Sequence, residues 1–222
     1  MNLRPNNERA RASIIVFYIL IVASVFTLVS SYMELNLLSD ENNLYDDEAL
    51  TNNDLRQQVV SVFYLLVWIA GIVFFLRWFR RAYYNLHQLD RVYPNYQEGW
   101  AVGAWFIPFI NLFRPYGIMK EIWQYTQEKI NQPVESRNII KLWWLIFIIS
   151  NLINNMSGRF LNNSSEIEDY ILADQIALLT TSFDIIALLL IISIIRKISE
   201  WETILYNENH QVEIEEHLLD IE

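Results

Sequence analysis

Four apolar runs divide the chain, at residues 12–33, 59–76, 139–156 and 176–195, with polar sequence between them. The first two carry no charge; the third is interrupted near its start by Lys141, and the fourth carries one acid, Asp184. A helix needs about 20 mostly apolar residues to cross bilayer hydrocarbon, so each run predicts a transmembrane helix. The first would extend roughly 33 Å. It is too long for a signal-peptide core and lacks a clear small-residue cleavage site, which predicts an uncleaved signal anchor.

Helical spacing carries some of these elements past the apolar runs. Beyond Arg77, Arg80 and Arg81 the second helix is expected to reach about Leu89, with Arg80, Tyr84, His87 and Arg91 on one face and Phe79, Tyr83 and Leu86 on another. His87 reads as a surface residue of the basic face. Ile198, Trp201 and Leu205 extend the fourth helix by two turns. Residues 34–56 are acidic and rich in Asn, predicting a solvated outer loop with a short helix; 158–174 is a second acidic loop. After Pro115 a helix is expected with Met119, Trp123 and Ile130 on its apolar stripe and Lys120, Glu121 and Glu128 mostly off it, until Pro133.

Between the second and third spans, residues 99–123 read GWAVGAWFIPFINLFRPYGIMKEIW. The apolar part, 99–113, is too short to cross a bilayer as a helix. Pro108 lacks an N–H and would break a helix running through it. Broken backbone at membrane depth must be sheltered by protein or lie at the interface, so the stretch predicts an interfacial or re-entrant broken-helix segment. The fold class is therefore all-α: a four-span integral membrane protein. Its parts are an N-terminus at 1–11, a membrane domain at 12–205 that includes a cytoplasmic-side helical segment at 77–138, and an acidic tail at 206–222.

Net charge is −10, but its distribution matters more than its sum. Arg4, Arg9 and Arg11, the nine basic residues from Arg77 to Lys141, and Arg196 with Lys197 fall on one side of the four spans; only Arg56 and Arg159 fall on the other. Basic residues collect on cytoplasmic loops, so both termini are expected inside. Trp68, Trp78, Trp143 and Trp144 are candidates for an aromatic belt at the inner interface. The chain has no cysteine, which excludes disulfides, thiolate nucleophiles and cysteine metal sites.

The strings RWFRRAYYN (77–85) and GWAVGAWFIPFINLFRPY (99–116) resemble a bacterial membrane family catalogued as domain of unknown function 4328. Trp78, Arg81, Asn85, Gly99, Trp100, Trp105, Pro108, Asn111 and Pro115 match its pattern, and the resemblance covers roughly residues 55 to 200. It implies the membrane architecture and carries no activity.

Candidate chemistry is sparse. Arg114 and Asn111 sit between the two prolines, where an Arg fork can clamp a lipid phosphate or simply snorkel to the headgroups. Trp100, Trp105 and Trp123 can stack on a ligand or anchor the interface. With Arg81 and Asn85, the residues Arg114, Asn111, Trp100 and Trp105 form the candidate ligand or lipid site. An intramembrane acid is costly, so Asp184 marks either a proton- or ligand-linked site or glue between helices. Counted from Arg196 and Lys141, Asp184 and Asn151 lie at depths differing by roughly 3 Å, and a hydrogen bond between them is expected. His210, Glu213 and His217 have metal-ligand spacing in the tail, which alone does not make a metal site. No G-x-S-x-G, H-E-x-x-H or phosphate-cradling glycine loop is present, so no catalytic residue, metal or cofactor is assigned.

Three readings follow, in this order. The first is a non-enzymatic membrane protein that binds lipid or a partner protein through 99–123. The second is a small oligomeric transporter or channel-like subunit using Asp184, and the third a lipid-headgroup enzyme. The expected partners are the lipid bilayer and a partner membrane protein or a second copy, with no nucleic acid.

Overall fold

The apolar runs become helices whose length exceeds what a water-soluble helix of this composition would tolerate. The computed structural model describes residues 2–39, 47–130, 133–161 and 167–219, with side chains described except at 157–161 and 212–219. Its elements are α1 (Asn7–Leu38), α2 (Asp47–His87), α3 (Trp100–Gly103), a 3₁₀ turn (Ile110–Leu112), α4 (Arg114–Lys129), α5 (Asn138–Leu161) and α6 (Ile167–Leu219). No strand occurs among the described residues.

Helices α1, α2, α5 and α6 are long and apolar enough to cross a membrane, with mean hydropathy of 2.7, 2.7, 1.4 and 2.5 in their most apolar windows. Only 17–33% of each window is buried within the protein. Val22, Phe26, Leu66 and Leu145 each expose about half or more of their surface. Water would not tolerate so much apolar area around four helices, whereas hydrocarbon solvates it; the chain is a membrane protein.

The loop between the first two spans is shorter than its composition suggests. Helix α1 runs on to Leu38 and α2 starts at Asp47. Asp47 and Glu48 occupy the first turn of α2, and Glu168 and Asp169 that of α6, where carboxylates complement the helix dipole. Several acids counted as loop residues are thus helix starts. Asp40, Glu41 and Asp46, the side chain of Arg159, and those of Glu213 and His217 lie outside the described residues.

The chain divides into two compact units, and each of the four long helices contributes to both. Unit 1 comprises residues 1–15, 72–142 and 190–222. All the largest fully buried side chains among the described residues belong to it, Trp78, Trp123, Tyr83 and Ile198 among them. Trp123 meets Trp201 edge-on at 4.8 Å and donates from Nε1 to the Glu135 carbonyl at 3.2 Å. This unit is packed like a globular core.

Unit 2 comprises residues 16–71 and 143–189. Near one end Glu34 accepts from Asn53 at 3.1 Å and from Gln57, while Ser30 donates to Gln57 Oε1 at 2.9 Å and accepts from Arg56 Nε at 3.2 Å. These polar groups occupy the α1–α2 seam, where leaving one unpaired would be costly. The tryptophans divide differently from the expected aromatic belt. Trp78, Trp143 and Trp144 are buried by packing, and of the four only Trp68 is well exposed, at 46%.

Candidate functional site

The stretch 99–123 is broken twice, for local reasons. Helix α3 lasts only four residues. At Pro108 the chain turns sharply: Ile110 N donates to the Pro108 carbonyl at 2.8 Å, and Phe109 lies at φ 64°, ψ −39°. This is a γ-turn of the rare, strained kind, carried by a bulky aromatic residue. Helix α4 then begins with Pro115 in its first turn, where the missing N–H costs nothing. Phe106, Phe109 and Phe113 are 68%, 81% and 72% exposed, so strain and sequence together push three phenyl rings outward. Trp105 pins the segment's base edge-on against Phe75 at 5.4 Å and Phe79 at 6.1 Å. Asn111 contributes its backbone N–H to the Ile107 carbonyl at 3.0 Å.

Arg114 follows directly. Its guanidinium lies 3.6 Å over the Trp100 ring and 5.4 Å from that of Tyr96, and its buried Nη1 has no acceptor among the described residues. Gly117 lets Tyr96 approach: a Cβ there would meet the Tyr96 ring at 3.3 Å, tighter than ordinary contact. Two aromatic faces thus fix a cationic fork without supplying its hydrogen-bond acceptors.

The other expected site residues separate from this cage. Asn85 is buried and grips the backbone of Arg4, accepting from its N–H at 3.1 Å and donating to its carbonyl at 2.9 Å. The same amide donates to Glu202 at 3.0 Å, and Asn6 donates to the other Glu202 oxygen at 2.8 Å. These residues line a cavity of about 160 Å³. Asn85 is therefore a clamp for the N-terminal segment and makes no hydrogen bond to Arg114. Glu202 lies beyond Arg196 and outside the apolar run 176–195; burial pushes its carboxyl up to about 7, against the opposing pull of Asn6, Asn85 and Arg81. The guanidinium of Arg81 stands 5.7 Å from the Tyr84 ring, and Arg4 caps the same ring at 4.6 Å.

A second buried acid was expected on the solvated side of its helix. Glu121 is 5% exposed, because Tyr83 Oη lies 3.0 Å from Oε2, Asn95 Nδ2 donates to Oε1 at 2.6 Å and Asn95 N donates to Oε2 at 3.3 Å. His87 is half-buried, both ring nitrogens facing the carbonyls of Tyr83 and Tyr96 at 2.9 and 3.0 Å. It belongs to this cluster and not to an open basic face.

In unit 2, Asp184 pairs with Ser150, not Asn151. Asn151 is exposed and bonds back to the Phe147 carbonyl of its own helix at 2.7 Å. One residue of helical rotation separates the two, and Ser150 takes the inward position. Tyr64, hydrogen-bonded to Ser24, faces Asp184, so each long helix gives one polar residue to a single layer.

A family model described as "Domain of unknown function (DUF4328)" matches residues 41–200 of the 222. No curated protein and no solved structure matches the chain.

Proposed function

The chain belongs to the DUF4328 family, and because that description names no activity we propose a function from the geometry: it is a membrane-embedded lipid-binding protein. In this reading the broken segment seats in the cytoplasmic leaflet of a bacterial inner membrane and Arg114 holds a lipid phosphate. The observation that carries it is the Arg114 guanidinium, stacked at 3.6 Å on Trp100 with a buried Nη1 that finds no acceptor among the described residues. A phosphate oxygen supplies the acceptor that Nη1 lacks, with charge assistance. Phe106, Phe109 and Phe113 supply apolar area for the adjoining acyl region. The basic residues of the 77–141 segment favour the anionic cytoplasmic side.

Native mass spectrometry of the protein released from nanodiscs tests this. The wild type should retain an anionic phospholipid, and Arg114→Gln should weaken retention by about 1 kcal/mol, roughly fivefold. Arg114→Lys should recover only part, since a point charge does not reproduce the planar fork. Equal retention by Arg114→Gln and wild type would end the lipid-clamp reading. A stoichiometric protein partner in place of lipid would make the segment a protein interface.

A second reading, proton-linked transport by an oligomer, is favoured by the layer of Ser24, Tyr64, Ser150 and Asp184. Asp184→Asn keeps an acceptor for Ser150 but cannot exchange a proton. Proton flux into liposomes that the wild type supports and this variant abolishes would establish transport. Absence of flux from both would leave Asp184 as interhelical glue.

A further inference from the structure

A groove separate from the Arg114 cage runs along the first residues of α1 and the basic end of α2 in unit 1. Its volume is about 670 Å³, and its walls include Arg9, Arg77 and Arg81, the acid Glu8, and the apolar Ala12 and Phe74. Ala12 opens the first apolar run and Phe74 lies near the end of the second, so one wall is hydrocarbon-like and the other cationic. Arg77 bridges the two, its guanidinium 5.9 Å from the Phe74 ring. Three guanidinium groups against one carboxylate leave a net charge of +2. None of the three forms an ion pair among the described residues.

The groove's outer wall is built in. Residues 4–7 are fastened through the Arg4 backbone to Asn85, through Asn6 to Glu202 and to the Trp78 carbonyl at 3.4 Å, and through Asn7 to Thr203 at 3.0 Å. Arg9 is therefore carried on a fixed helix start, not on a loose tail. Arg4 and Arg9 both raise the positive potential at Arg81. A topology signal needs only basic residues near a helix end. It does not require them to converge on one cavity with an apolar wall and a single acid, Glu8.

We propose that this groove binds the headgroup of a phospholipid with two phosphodiesters, of the diphosphatidylglycerol class, its glycerol backbone at Phe74 and its phosphates among Arg9, Arg77 and Arg81. The net +2 matches two singly charged phosphates, and the volume exceeds what one phosphate needs. Basic pockets at helix ends are the general setting in which such headgroups are read. The inference does not depend on Arg114.

Full-length protein in detergent is titrated with diphosphatidylglycerol, phosphatidylglycerol or phosphatidylcholine and followed by native mass spectrometry. The two-phosphate lipid should be retained above the others. Arg9→Gln and Arg77→Gln should each weaken its retention about fivefold, and together about 25-fold. Arg114→Gln should leave the preference for the two-phosphate lipid over phosphatidylglycerol unchanged, whereas Arg9→Gln with Arg77→Gln should abolish it, which separates this groove from the cage. Glu8→Gln removes the groove's one acid and should strengthen retention, a gain that misfolding cannot produce. Equal retention of phosphatidylcholine, or full retention by the double variant, overturns the proposal. So does protection from thermal unfolding by inorganic pyrophosphate equal to that by the lipid, because the groove would then serve a soluble anion.

Discussion

Glu202→Leu should lower the unfolding midpoint by about 10 °C, which for a chain of this size corresponds to about 2.5–5 kcal/mol. The reason is local. Asn85 and Asn6 each direct an amide at the two Glu202 oxygens, at 3.0 and 2.8 Å. Removing the carboxylate strands two buried donors, each costing about 1–3 kcal/mol, while leucine recovers only part of this through apolar contact. The pH dependence provides an independent check. The Glu202 carboxyl is raised from 4.5 to about 7, chiefly by burial. Between those values the unfolded chain has lost a proton that the folded protein keeps, so stability falls as pH rises through the window and then levels off above it. Glu202→Gln has no proton to lose and should flatten that slope; Asn6, whose Oδ1 is unpaired, can turn to accept from the new amide. Apparent midpoints measured in nanodiscs at pH 5 and pH 8 decide the matter. An unchanged slope in Glu202→Gln would show that another group titrates.

The four spans were legible because apolar runs of 18 residues or more have few alternatives in a chain. The break at Pro108 was equally plain, since proline's chemistry is local. What the sequence concealed were acids on core faces. Ile195, Ile198, Glu202 and Leu205 repeat at spacings of three, four and three, which puts Glu202 in the buried stripe. Asn85 does the same between Trp78, Ala82 and Leu89. Read by type they look like surface residues, and read by position they are core. Each was therefore a signal of a buried polar network, but the partner, Asn6, lies nearly two hundred residues away from Glu202 and is invisible to any local pattern. Trp78, Trp143 and Trp144 pack inside, leaving Trp68 exposed, for the related reason that a helix interface and a membrane interface use the same amphipathic ring. Asn151 and Ser150 show how little rotation is needed to change a partner.

The candidate site was half legible. Arg114 and Trp100 are fourteen residues apart, and only the fold around the γ-turn brings the guanidinium over the indole. Tyr96, the second aromatic face, lies in the irregular stretch after α2, where no helical spacing marks it. Its position depends on a group of residues the sequence did not flag. Tyr96 N donates to Tyr83 Oη at 3.2 Å, the Tyr83 hydroxyl lies 3.0 Å from both the Tyr96 carbonyl and Glu121, and Glu121 holds the preceding Asn95 by its backbone and side chain. The phenol has one proton to give, so Glu121 and the Tyr96 carbonyl share it in alternation.

Glu121→Leu should therefore do more than destabilise unit 1. It removes the carboxylate that accepts from the Asn95 N–H and amide; Asn95 is exposed, so water replaces part of the lost bonding and each bond costs about 0.5–1.5 kcal/mol. The segment 92–98 should loosen, and with it the Tyr96 face of the Arg114 cage. Arg91, exposed and held at φ 59°, borders that segment and offers a direct reporter. Trypsin should cut after Arg91 several-fold faster in Glu121→Leu than in wild type, because local opening follows the lost acceptors. Retention of a lipid held by Arg114 should fall in parallel, while lipid held by Arg9 and Arg77 should persist, since that groove is fastened by Asn85 and Glu202 instead. Glu121→Gln keeps one acceptor oxygen and should fall between the two. Loss of both lipids together would mean that unit 1 had unfolded as a whole. Loss of neither would mean that Tyr96 is placed by Gly117 and the helix beneath it, and that Glu121 serves stability alone.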